Sequence, residues 1–99
     1  MAQRWTVEED YMVCKFCQEK KGNDITGHNL EELMIILNEN GFSSRSKIAV
    51  EKRARDFTYL LRGWESQHAA GQVRAVFQCL ASSYEVERQQ WISRYIDEV

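Results

Sequence analysis

Apolar residues recur at three- and four-residue steps through most of this chain, and strand-like alternation is scarce. The pattern predicts a helix over about 7–20, with Met12, Val13, Phe16 and Cys17 inward and Trp5 folding in at its start. A second helix runs from Leu30 to about Glu39 on a stripe of Leu30, Leu33, Met34 and Leu37. A third, over 46–62, has Ala49/Val50, Arg53/Ala54, Phe57 and Leu60/Leu61 on one side. Val73, Val76, Phe77 and Leu80 predict a fourth over 72–81. Arg88, Trp91, Ile92, Tyr95 and Ile96 share a face of a fifth over 84–97.

Polar residues punctuate the stripes. Thr6 and Glu9 have the spacing of a capping box, each side chain able to bond the other's amide. Glu8, Glu9 and Asp10 put negative charge at the positive end of that helix, and Lys20 and Lys21 stand at its negative end. Residues 21–28 read as a loop, with Asn29 as the next cap and Glu32 three positions on. Asn40-Gly41-Phe42 and Gly63-Trp64 each pair a left-handed glycine with a following apolar residue, a helix-stop signal. Ser43 and Ser44 lead to Ser46, the expected cap of the third helix. Residues 64–71 fit either a loop or a helical turn broken at Gly71, and Ser82 with Glu85 completes another capping box.

The chain has no proline, which together with these stripes points to an all-α fold of about five helices. Its 99 residues suit one domain, and 43% hydrophobic residues suffice for a core. No apolar run approaches the ~18 residues of a membrane span. The start, Met-Ala-Gln-Arg-Trp-Thr, lacks an apolar signal region. Three cysteines without such a signal read as reduced thiols in an intracellular protein, cytoplasmic in a prokaryote or virus and nuclear in a eukaryote.

Charge is unevenly spread. Residues 41–64 carry six Lys/Arg and two acids, a net of +4, while residues 1–40 carry four and eight, a net of −4. Residues 65–99 carry three and five, a net of −2, so the three segments sum to the overall −2. Positive charge gathered into one helix of an acidic chain suggests a face for a polyanion.

Trp5-Thr6-x-Glu8-Glu9-Asp10, two helices on, leads to Arg45-Ser46-x-x-Ala49-Val50-x-x-Arg53-Ala54. This order resembles the Myb/SANT-like trihelical domain over about residues 4–62. Leu30 and Ala54 stand where that family places bulky aromatics, and the first loop is longer than its usual one. The resemblance implies a helix-turn-helix core whose last helix enters the DNA major groove, followed by a C-terminal helical hairpin over 64–99. It also implies an inter-helix ion pair of Glu8 or Glu9 with Arg53.

On this reading Arg45, Lys47, Lys52 and Arg55 contact double-stranded DNA, and Glu51 biases base choice by accepting from cytosine N4. The alternative is a protein-interaction module docking an acidic partner on the same face. Trp91, Tyr95 and Ile96 either cover the open side of the core or form a homodimer surface. Cys14-x-x-Cys17 reads as a core cysteine (Cys17) beside a partly exposed one (Cys14), since the remaining candidate ligands, His28, His68 and Cys79, are scattered. The two histidines read as loop residues. No nucleophile–base arrangement or phosphate loop can be assembled, so neither enzyme activity nor a metal or cofactor is expected.

Overall fold

The computed structural model of the chain describes residues 4–42, 45–63, 71–78 and 80. Four helical segments and no strand occur among them. They are α1 (Val7–Glu19), α2 (Gly27–Glu39), α3 (Lys47–Leu61) and α4, a helical stretch over 71–78. The expected fifth helix, with Trp91, Tyr95 and Ile96, lies outside the described residues, as do Ser43, Ser44, Trp64, His68 and Cys79.

The capping chemistry decides most of the boundaries. The Thr6 hydroxyl accepts from the Glu9 amide at 3.1 Å, and Glu9 Oε1 accepts from the Thr6 amide at 3.0 Å. Ser46 Oγ accepts from the Ala49 amide at 3.2 Å and opens α3. α2 ends in a Schellman arrangement: Gly41 takes φ 87°, and the Phe42 amide reaches the Leu37 carbonyl at 2.9 Å.

α2 departs from expectation at its other end. It begins at Gly27, its cap is Thr26 without a side-chain bond, and Asn29 lies inside the first turn with its amide donating to the Asp24 carbonyl. His28 is therefore an exposed helical residue and not a loop residue.

α3 packs mainly on α1. Val13, Cys14, Phe16 and Cys17 of α1 meet Leu30, Leu33 and Leu37 of α2 and Val50, Ala54, Phe57 and Leu61 of α3 in one buried cluster. Val73, Val76, Phe77 and Leu80 join that cluster, so α4 covers the trihelical core as its stripe predicts. Met12 and Met34 are only partly buried at its edge. Where α1 and α3 meet, Cys17 Sγ lies 3.6 Å from the Ala54 carbonyl and accepts from the Thr58 hydroxyl at 3.8 Å. A side chain of α1 thus touches the backbone of α3, and fully buried Ala54 leaves no room for a bulky aromatic. Cys14 is fully buried as well, which corrects its expected partial exposure.

Candidate nucleic-acid interface on α3

Three arginines, just before, within and just after α3, turn inward. Arg45 forms a two-pronged pair with Glu9, Nε to Oε2 and Nη2 to Oε1, each at 2.9 Å, and its side chain is 9% exposed. It also donates to the Arg4 carbonyl. Arg53 makes the same kind of pair with Asp10, both bonds 2.7 Å. Arg62 caps α3 and reaches the loop after α1, donating to the Gly22 carbonyl at 2.9 Å and to Asp24 at 2.8 Å.

Trp5 ties the first two pairs together. The Arg45 guanidinium lies over its ring at 4.5 Å from the centroid and that of Arg53 at 5.3 Å, both within cation–π range. The Arg45 guanidinium holds the Glu9 carboxyl down to about 2; burial opposes this, and the Thr6 bonds assist. Glu9 in turn holds the Arg45 guanidinium above its ordinary value, against the opposing effect of burial.

These contacts revise two expectations. The partner of Arg53 is Asp10, not Glu8 or Glu9, because Asp10 shares the inward face of α1 with Val13, Cys14 and Cys17. Glu8 is exposed and forms no ion pair among the described residues. Arg45 is not presented to an external ligand: its guanidinium is spent on Glu9, Trp5 and the Arg4 carbonyl. The 3–4 spacing from position 10 to 13, 14 and 17 was a signal for Asp10. Nothing in the sequence singled out Gln72, whose amide also bonds Asp10, at 2.6 Å.

The outward side of α3 keeps the rest of the basic set. Lys47 is 57% exposed and lies 3.8 Å from Glu31 of α2, itself exposed. Arg55 is 51% exposed and lies 3.7 Å from Glu51, one turn back. Lys52 is exposed and forms no ion pair among the described residues. Exposed pairs at these distances are weak and exchange readily for other partners. Ile48, which the helical spacing places on the same side as Lys47, Glu51, Lys52 and Arg55, is 67% exposed on the second residue of the helix. Val7 and Ile35 are exposed to a similar degree on α1 and α2, so exposure alone does not set Ile48 apart.

A small cleft beside Arg55, lined also by Asp24, Glu51 and Tyr59, mixes both signs of charge. Among the described residues no cluster of three or more His, Cys, Asp or Glu could hold a metal, and no helix is long and apolar enough to cross a membrane. No family model, no curated protein and no solved structure matches this chain.

Proposed function

We propose that the outward side of α3 docks double-stranded DNA, in the helix-turn-helix manner that the Myb/SANT-like resemblance implies, in a non-catalytic and regulatory role. One observation carries the reading. With Arg45, Arg53 and Arg62 turned inward, the cations that remain exposed on α3, Lys47, Lys52 and Arg55, lie on its solvent side around exposed Ile48. The lysines and the arginine neutralise phosphates, Glu51 accepts from a base amino group, and Ile48 supplies an apolar contact of the kind that suits a thymine methyl.

The test is a titration of a short random-sequence duplex over a range of salt concentrations. Three phosphate contacts give a slope of log affinity against log salt of about −2.7 per protomer. Replacing Lys52 and Arg55 by alanine brings it to about −0.9. Equal binding by wild type and double variant, or no binding by either at physiological salt, overturns the reading. Ile48 also favours a second one, in which the same face docks an acidic protein. Indifference to DNA with retention on an acidic protein partner would support it.

A further inference from the structure

We infer that Gln72 is a positioning residue for the N-terminal turn of α3, acting through Trp5 and Asp10. Its Nε2 donates to the Trp5 carbonyl at 2.7 Å and to Asp10 Oδ2 at 2.6 Å. Both partners only accept, so the two amide protons are consumed and the orientation of the amide is fixed by chemistry. Asp10 Oδ2 receives the Arg53 guanidinium as well. One side chain at the start of α4 is thereby joined to the residue whose ring underlies Arg45 and Arg53, and to the carboxylate that holds Arg53.

The consequence falls on the beginning of α3. Arg45 immediately precedes the Ser46 cap, and it is held by Glu9, by the Arg4 carbonyl and by the Trp5 ring. Residues 4 and 5 can serve as that platform only while their backbone is fixed. The Gln72 bond to the Trp5 carbonyl is a side-chain anchor from outside α1 and α3. The turn it steadies carries Lys47 and Ile48, so α4 bears on the face assigned to DNA without belonging to it. In this respect the inference rests on the DNA reading, while the positioning itself does not.

The experiment compares the full chain with Gln72→Glu, which keeps the shape and loses the donors, and with Gln72→Lys, which restores donors to both acceptors. Amide exchange at Ala49 and Val50, whose N–H groups bond Ser46, is read against Leu33 and Leu37 of α2. Gln72→Glu is expected to speed exchange at Ala49 and Val50 roughly tenfold, the scale of one lost bond to a charged group, leaving α2 unchanged. It should also weaken binding to the random-sequence duplex, and Gln72→Lys should restore the slow exchange. Unchanged rates at Ala49 and Val50, or an equal rise throughout α2, would mean that Gln72 adds only general stability and would overturn the inference. If Gln72→Glu does not fold, Gln72→Ala, which removes the donors without adding charge, carries the same comparison. Failure of the wild-type chain to bind DNA would sink the DNA reading alone, because the exchange comparison still decides the role of Gln72.

Discussion

Asp10 and Arg53 face each other through two bonds of 2.7 Å, with the Asp10 side chain wholly shielded from solvent and the Arg53 side chain 15% exposed. A buried pair of this kind contributes little over an apolar replacement, but removing one partner strands the other charge. Arg53→Ala should therefore destabilise the fold by about 3–5 kcal/mol in urea titrations. Combining it with Asp10→Leu should recover part of that loss. A double variant no more stable than Arg53→Ala would show that the cost lies in the lost contacts of Arg53 and in the Gln72 bond that Asp10→Leu removes, and not in the stranded carboxylate.

Arg45 and Lys52 separate structure from surface. Arg45→Ala leaves the Glu9 carboxylate, at 4% exposure, without its cation and with only its Thr6 bonds, and should lower the melting temperature markedly, with a cost of about 2–4 kcal/mol. Lys52→Ala should stay within about 0.5 kcal/mol of wild type. If DNA binds, Lys52→Ala should also reduce the salt slope by about 0.9. A melting temperature unaffected by Arg45→Ala would return that residue to the outward set.

Glu9 sets an acid limb of stability. Its carboxyl is held at about 2 in the fold, against an ordinary value of 4.5. A folded value below the unfolded one means that the contribution is complete above about pH 4.5 and is lost as pH falls towards 2. Its size is on the order of 3 kcal/mol. Urea midpoints measured across this window should fall more steeply for wild type than for Glu9→Gln. Parallel curves would place the acid sensitivity elsewhere.

Gln18 is buried in α1, and neither its Nε2 nor its Oε1 finds a hydrogen-bond partner among the described residues. An unsatisfied amide costs about 1–3 kcal/mol to bury. Gln18→Met, close in size and without polar hydrogens, should raise the urea midpoint. A fall would show that the amide has a partner.

The thiols of α1 should be inert while the chain is folded. Burial pushes Cys17 up to about 12 and Cys14 well above the ordinary thiol range, so almost no thiolate forms near pH 8. Peptide mapping after mild alkylation should find both unmodified, and both modified in urea. Rapid native labelling of Cys14 would contradict its burial.

The helices were legible because their signals are local. Thr6 with Glu9, Ser46 and the pair Gly41-Phe42 announce helix ends whatever packs nearby. The start of α2 was not legible, because Thr26 caps it with backbone geometry alone while Asn29 carries the stronger side-chain signal. The candidate site was legible only in part. Lys47, Lys52 and Arg55 stay outward as their spacing implies, but Arg45 looks like another cation on a basic helix until Glu9 and Trp5 are brought beside it. A net charge counted along the chain cannot tell a guanidinium facing water from one facing a carboxylate across the core. Gln72 left no trace, since a single amide has no periodicity.

The inward arginines have an evolutionary consequence. Positions 9 and 45, and 10 and 53, cannot drift independently, because each single change leaves a charge stranded. Distant relatives should therefore exchange these residues in couples, while Lys47, Lys52 and Arg55 vary one at a time with whatever the outer face must meet. Correlated substitution at two pairs of columns, 36 and 43 residues apart, would mark the lineage even where overall identity has faded.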